Sequence, residues 1–333
     1  SQRWSERLKS GRGDILLRVI GLAASVLVLW YLGAWSEFSA IIQDIAPLIL
    51  ILALALAMIS TWITSVRWRL LDPDLGKQMR GWDYFRYVMI GATANMFMPG
   101  ALGGDAIRIA LVAKDLDSHR GDAVAAIVAD RWIGLFSIIL LGTIACLGAT
   151  GLEHRAELLS VLLAMDLAFL FGWIVATNTS LSNWLLGVVD RPGTLWRLLG
   201  SVFSAWQRSI EFYAAHPARV LGALTLCLPI HACWFLIVYL LALETGIDMS
   251  FLSLAMITAL SWVIVAAPVS FGGVGVRELS FVYLLSLQGI DAERALVLGA
   301  LQSAIFLVRA IIGVPLFWLG RKSLGMQSGA GDG

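Results

Sequence analysis

Long apolar runs separated by short polar stretches make up most of the chain. A helix needs about 20 mostly apolar residues to cross a bilayer. Six runs reach that length without interruption: 15–35, 47–65, 123–149, 158–176, 220–243 and 294–319. The pattern therefore predicts six full transmembrane helices.

Two further apolar stretches, 82–113 and 251–288, contain Pro and Gly at their centres. The interruptions read MPGALGG at 98–104 and PVSFGGVG at 268–275. Each stretch is long enough for two half-helices, and we predict that each forms a broken, re-entrant helical hairpin. Kinks within ordinary spans are the alternative.

The basic residues predict the path across the membrane, because Lys and Arg accumulate in cytoplasmic loops. Residues 1–14 and 66–81 each hold four of them, whereas the loop 36–46 holds none. Lys114 and Arg120 stay on the cytoplasmic side only if 82–113 enters and leaves from that side. The same rule predicts that 251–288 enters and leaves from the outside. The two hairpins are then inverted relative to each other, and both termini are cytoplasmic.

We therefore expect an all-α polytopic membrane protein with six full spans and two inverted re-entrant hairpins. A single transmembrane domain covers 1–322, with halves 1–122 and 123–322. Within the second half, apolar residues at steps of three and four over 195–213 predict a cytoplasmic amphipathic helix. We expect residues 323–333 to form a flexible tail.

Composition supports a membrane protein, since 59% of the 333 residues are hydrophobic and 14% are charged. Soluble domains are closer to half apolar and a quarter charged. The basic residues are scattered between apolar runs, which argues against nucleic-acid binding. The three Cys and four His show no metal-ligand spacing, so we expect neither a metal nor a cofactor.

The two interruptions predict a binding site. Irregular backbone at membrane depth is tolerated only inside protein or along a cavity, and paired interrupted segments mark transporter sites. A helix restarts after each interruption, with Arg108 and Arg277 in the first turns. A helix N-terminus has about half a positive charge, so the two restarts favour an anionic headgroup. If the segments are kinked spans, Asp105 is a helix cap and Arg108 marks a span end.

Charged residues inside the predicted spans are Asp130, Arg131, Asp166 and Arg309. An unpaired charge at that depth costs at least ~2.5–3.5 kcal/mol, so each needs a partner, a cavity or a ligand. Interhelical pairing and direct ligand contact both satisfy this need. The candidate substrate-binding residues are Asn95, Pro99, Gly100, Gly103, Gly104, Asp105, Arg108, Asp130, Arg131, Pro268, Ser270, Gly273, Gly275, Arg277, Glu278 and Arg309.

In several stretches the chain resembles the membrane domain of lysylphosphatidylglycerol synthase/flippase proteins and their stand-alone relatives. The matching motifs are RWRLL at 67–71, NMFMPG at 95–100 with Gly103-Gly104-Asp105 and Arg108, VADR at 128–131, and PVS through GVGVRE at 268–278. The resemblance implies translocation of a lipid, such as an aminoacylated phospholipid, a polyprenyl-linked sugar, a glycolipid or a hopanoid. Because the sequence departs from the full-length synthases by stopping near Lys322, we expect no soluble aminoacyl-transferase domain, and we do not extend the resemblance to lysyl transfer.

The expected function is a flippase for an anionic phospholipid, polyprenyl phosphate or glycolipid in the cytoplasmic (inner) membrane. We expect membrane lipids as ligands, with a homo-oligomer or a lipid-modifying enzyme as the protein partner. Two alternatives stay open. One is a membrane-embedded enzyme that uses Asp105, Asp130 or Glu278 as acid or base, and the other is an accessory subunit that presents lipid to an enzyme.

Overall fold

The computed structural model describes residues 45–71, 79–97, 103–115, 120–178, 212–266 and 273–323, with six further positions between 180 and 210. The regular elements of this part of the chain are all α-helices. They are α1 (Pro47–Leu71), α2 (Gly81–Phe97), α3 (Gly103–Asp115), α4 (Arg120–Gly148), α5 (Arg155–Thr177), α6 (Pro217–Glu244), α7 (Phe251–Ala266), α8 (Val276–Ser286) and α9 (Ala292–Ser323).

Five of these described helices are long and apolar enough to cross a membrane: α1, α4, α5, α6 and α9. They coincide with five of the six predicted spans, and the prediction of an all-α polytopic membrane protein is confirmed. The remaining span, 15–35, lies outside the described residues, as do most of the amphipathic helix 195–213 and of the tail 323–333.

The segment 82–113 is a helical hairpin rather than a kinked span. Its two helices have 17 and 13 residues, and both are shorter than a full crossing requires. The Gly104 N–H of α3 bonds to the Asn95 side chain of α2, and Gly91, one turn earlier, contacts Arg108, one turn later. In the second pair, both residues lie further from the interruption than in the first pair. This pattern is that of two antiparallel helices.

The segment 251–288 folds in the same way. Its helices α7 and α8 have 16 and 11 residues. Ser261 and Ser280 face each other with 2.5 Å between their hydroxyl oxygens, and Val265 of α7 lies against Gly273. These pairs again run antiparallel from the turn outward, so the second hairpin is confirmed as well.

Hydrogen bonds between loops show at which end of the bundle the second hairpin opens. The Ala46 N–H donates to Glu244, which joins the start of α1 to the end of α6. Glu153, between α4 and α5, exchanges two hydrogen bonds with Gln288, after α8. The start of α7 and the end of α8 therefore lie at this end.

The open end of the first hairpin lies at the opposite end of the bundle. There the Tyr213 hydroxyl donates to the Leu71 carbonyl, and Arg219 at the start of α6 donates to the Leu70 carbonyl over 3.1 Å. Gly81, the first residue of α2, packs beside Arg69 of α1. The two hairpins thus open at opposite ends, which is the inverted arrangement that the charge pattern predicted.

Candidate functional site

The first hairpin is closed at its interruption by glycine. A Cβ atom on Gly104 would lie 2.1 Å from the Gly91 carbonyl oxygen and 2.7 Å from Cγ of Asn95. No side chain other than hydrogen fits there. Asn95 Oδ1 accepts the Gly104 N–H over 2.7 Å, which satisfies one of the unpaired amides at the start of α3. The first turn of α3 is thereby held against α2, and its next residues face the interior.

Five charged side chains meet at this point and form what we call the first charge cluster: Arg67, Asp105, Arg108, Asp130 and Arg131. Arg67 Nε donates to Asp130 Oδ1 over 2.9 Å, and Arg108 Nη1 lies 3.1 Å from Asp105 Oδ1 and 3.9 Å from Asp130 Oδ2. Arg131 Nε binds Asp105 Oδ2 over 2.5 Å. Three guanidinium groups face two carboxylates, so the cluster has a net charge of +1.

Arg108 is the member with unused hydrogen-bonding capacity. Its guanidinium carbon lies 4.2 Å from the centre of the Trp68 ring, in cation–π geometry. The side chain is 4% exposed. Among the described residues, neither Nε nor Nη2 of Arg108 has a hydrogen-bond partner. A buried cation with open donors is suited to an anionic ligand.

Glycine also shapes the second hairpin. Gly273 and Gly275 have φ angles of +81° and +84°, which other residues rarely adopt. A Cβ atom on Gly273 would lie 2.7 Å from both Arg277 Nη2 and Val265 Cγ1. The Gly275 N–H donates to Glu278 Oε2 over 2.6 Å, so Glu278 stabilises the start of α8.

The second charge cluster consists of Arg277, Glu278 and Arg309. Arg277 Nη1 donates to Ser303 Oγ over 2.8 Å, and that hydroxyl donates to Glu278 Oε1 over 2.5 Å. The guanidinium carbons of Arg277 and Arg309 lie 4.3 Å and 4.9 Å from the centre of the Phe306 ring. Two cations with one carboxylate again give a net charge of +1.

Arg309 is held mainly by aromatic rings. Besides Phe306, its guanidinium carbon lies 5.4 Å from the Trp234 ring centre, and Nη1 lies 3.4 Å from Thr61 Oγ1. In the part of the chain that the structure describes, no carboxylate lies within salt-bridge distance of Arg309 and its Nε has no hydrogen-bond partner. Among the described residues, the charge of Arg309 is therefore balanced by no direct carboxylate contact.

The structure divides the predicted site residues between the two hairpins. Asn95, Gly104, Asp105, Arg108, Asp130 and Arg131 meet at the first, and Gly273, Gly275, Arg277, Glu278 and Arg309 meet at the second. Gly103 begins α3. Pro99, Gly100, Pro268 and Ser270 lie outside the described residues.

Asp166 belongs to neither cluster. It lies in α5, where its Oδ2 accepts a 2.6 Å hydrogen bond from Thr143 of α4, and it is 7% exposed. The expectation that intramembrane charges have polar neighbours is confirmed for Asp166, as it is for Asp130 and Arg309.

Sequence reasoning missed several residues of the site. Arg67 was used only as one of the basic residues that indicate the cytoplasmic side, because it follows an apolar run. In the structure it is 6% exposed, and its guanidinium binds Asp130. One signal in the sequence could have identified four further residues of the site, because each is a polar or amphipathic residue inside a long apolar span. They are Thr61 and Trp68 of α1 and Gln302 and Ser303 of α9.

The described residues concentrate positive charge beside the two hairpins. The described residues contain no group of three His, Cys, Asp or Glu side chains that could hold a metal ion. What they contain is two cationic clusters, each with one positive charge in excess, beside the first two turns of α3 and α8. Arg131 and Arg309 are partly exposed, and the other charged members are buried.

Comparison with known proteins supports a lipid-related role in a membrane. A UPF0104 membrane protein from Methanothermobacter thermautotrophicus is 23% identical over 296 residues, which cover 83% of this chain and 85% of that protein. No solved structure matches the chain. The family model for the lysylphosphatidylglycerol synthase TM region matches residues 18–313, and the chain belongs to that family.

Proposed function

We propose that the protein is a flippase that moves an anionic phospholipid or a lipid-linked anion across the cytoplasmic membrane. One observation supports this most directly: two short-helix hairpins open at opposite ends of the bundle, and each has a buried arginine within the first two turns after its interruption. The headgroup binds at these arginines while the acyl or prenyl tails stay in the bilayer.

Arginine at a helix start has the right chemistry for a phosphate. The helix N-terminus supplies about half a positive charge and free amide donors. The planar guanidinium adds a full charge and a fork of N–H groups that matches phosphate oxygens. In Arg108 the Nε and Nη2 atoms have no partner among the described residues, so this fork is available to a ligand.

The carboxylates near the arginines support binding over acid–base chemistry. Asp105 accepts hydrogen bonds from Arg108 and Arg131. Glu278 accepts from the Gly275 N–H and the Ser303 hydroxyl. A carboxylate with its oxygens engaged in this way is a poor general base, which favours a transporter over an enzyme. The family, named for the membrane region of a lipid synthase, agrees with a lipid substrate.

The test is lipid translocation in proteoliposomes by Arg108→Gln and Arg277→Gln. We expect each variant to lower the rate at least tenfold while remaining folded, because the backbone dipoles stay but the full charge is lost. Arg→Lys should rescue only in part, since an ammonium lacks the guanidinium fork. Arg80→Gln is the matched control, because Arg80 lies just before α2 and is exposed.

Two results would overturn the proposal. If both Gln variants flip lipid at the wild-type rate, the clusters are structural. If the wild type flips none of the lipids offered but mass spectrometry of extracted lipids shows a new product, the protein is an enzyme instead.

A further inference from the structure

Asp105 joins two arginines that differ in exposure. Its Oδ2 accepts a hydrogen bond from Arg131 Nε over 2.5 Å, and its Oδ1 lies 3.1 Å from Arg108 Nη1. The side chain of Arg131 is 42% exposed, whereas that of Arg108 is 5% exposed. One carboxylate therefore lies between an accessible guanidinium and a buried one.

Arg108 is fixed in the interior. Its guanidinium lies over the ring of Trp68, which is fully buried. Its aliphatic stem lies against Gly91, where a Cβ atom would be 2.7 Å from Arg108 Cδ. Nε and Nη2, the two nitrogens on one edge of the guanidinium, have no hydrogen-bond partner among the described residues. A ligand reaches this open edge only if the surrounding helices move.

Arg131 is accessible without such a movement. Within the described chain its only salt-bridge partner is Asp105, which engages Nε. Arg131 lies eleven residues after the first residue of α4, about 16 Å along the helix. A charge exposed to hydrocarbon at that depth is costly, so the exposed part of the guanidinium needs water or an anionic headgroup.

The shared carboxylate connects the two positions. A phosphate on Arg131 competes with Asp105 for the same guanidinium, because both are oxygen anions that bind its N–H groups. Arg108 is bonded to the other oxygen of Asp105, so a phosphate on Arg131 is only the width of a carboxylate from Arg108. The difference in exposure gives the order of contact, since a ligand meets the accessible group before the buried one.

We propose that Arg131 is the capture residue of the first charge cluster, and that an anionic lipid headgroup binds to it before reaching the open edge of Arg108. This inference rests on the proposed flippase function and assigns the two arginines to different steps. Arg131 determines how readily the headgroup binds. Arg108 holds the headgroup during the movement that follows.

The first experiment measures the reactivity of arginines in the wild type and needs no variant. Phenylglyoxal modifies accessible guanidinium groups, and mass spectrometry of peptides gives the rate at each position. In phosphatidylcholine vesicles Arg131 should react about tenfold faster than Arg108 or more, because a buried group reacts only after local opening. Phosphatidylglycerol added to the vesicles should slow the reaction of Arg131 severalfold more than that of Arg80, which is exposed just before α2.

The second experiment separates capture from transfer by transport kinetics. In Arg131→Gln the half-saturating mole fraction of phosphatidylglycerol should rise about tenfold, with the maximal rate within about twofold of the wild type, because an interaction made on binding is lost. In Arg108→Gln the maximal rate should fall instead. Arg131→Lys should recover most of the affinity, since it restores the charge. Added salt should weaken wild-type capture more than that of Arg131→Gln, because exposed charges are screened.

The outcomes distinguish this inference from the flippase proposal. If the wild type transports no lipid while phosphatidylglycerol still protects Arg131, the flippase proposal fails and the headgroup site remains. If Arg108 reacts as fast as Arg131, or if phosphatidylglycerol leaves Arg131 unprotected, the capture inference is wrong even though lipid is transported. It is also wrong if Arg131→Gln lowers the maximal rate and leaves the half-saturating fraction unchanged. Should Arg131→Gln not fold, the wild-type reactivities decide.

Discussion

The sharpest prediction on stability concerns Asp130, the carboxylate shared by Arg67 and Arg108. Its oxygens lie 2.9 Å and 3.9 Å from the two guanidinium groups, and the residue is 3% exposed. Asp130→Asn leaves both cations in place and raises the net charge of the first cluster from +1 to +2. Removing one partner of a buried ion pair costs about 3–5 kcal/mol, and we expect the free energy of unfolding to fall by that amount.

The double variant Arg67→Gln with Asp130→Asn tests the mechanism of that loss. It restores the cluster charge to +1 and removes the donor that Asp130 neutralised, so its stability should exceed that of the single Asp130→Asn variant. The coupling energy from the double-mutant cycle should be about 2 kcal/mol or more. Unfolding in mixed detergent micelles is the assay.

Asp291→Asn is the matched control, because its side chain is 77% exposed and lies 3.9 Å from Arg294. It should change the unfolding free energy by no more than about 0.5 kcal/mol. If Asp130→Asn is also within about 1 kcal/mol of the wild type, the first cluster is well hydrated and the argument from an uncompensated buried charge is refuted.

Three further predictions follow from other positions. Gly104→Ala places a Cβ atom 2.1 Å from a backbone carbonyl of α2 and should destabilise the protein by about 3 kcal/mol or more, whereas Gly187→Ala, with nothing within 4 Å, should be neutral in the same thermal melts. Asp166→Asn keeps an acceptor for the Thr143 hydroxyl and should change the unfolding free energy by less than about 1 kcal/mol, whereas Thr143→Val should cost about 1–3 kcal/mol. A cysteine in place of Lys77 should resist an impermeant thiol reagent applied from outside; labelling there would refute the predicted topology.

The sequence predicts the helices and hairpins because the signals for them are local. A run of apolar residues encodes a span, and Pro and Gly encode an interruption, without reference to any other part of the chain. The inverted arrangement of the two hairpins was also predicted from local signals, because the basic residues Lys114 and Arg120 were expected to stay on the cytoplasmic side of the membrane. The structure agrees with these predictions wherever it describes the segments.

The pairing of the charges could not be predicted, because it depends on contacts between helices. Helical periodicity identifies neighbours three or four residues apart, but Arg67 binds a carboxylate 63 positions away. Sequence alone also could not show that Glu278 uses both oxygens for its own hairpin and Ser303, which leaves Arg309 with the excess charge. Arg67 was assigned to topology because the rule for basic residues counts any arginine near the end of a span.

The loop contacts at the end of the bundle where α7 begins bear on the conformational equilibrium. Four hydrogen bonds join the loops there: two between Glu153 and Gln288, one from Ala46 to Glu244, and one from Arg294 to the Gly246 carbonyl. At about 0.5 kcal/mol each, the lower limit for exposed groups, they favour the closed loops by roughly 2 kcal/mol. Without a ligand, the closed conformer would then outnumber a conformer open at that end by about thirtyfold. A ligand or partner that binds the open loops would need to supply only roughly 2 kcal/mol to populate the open conformer.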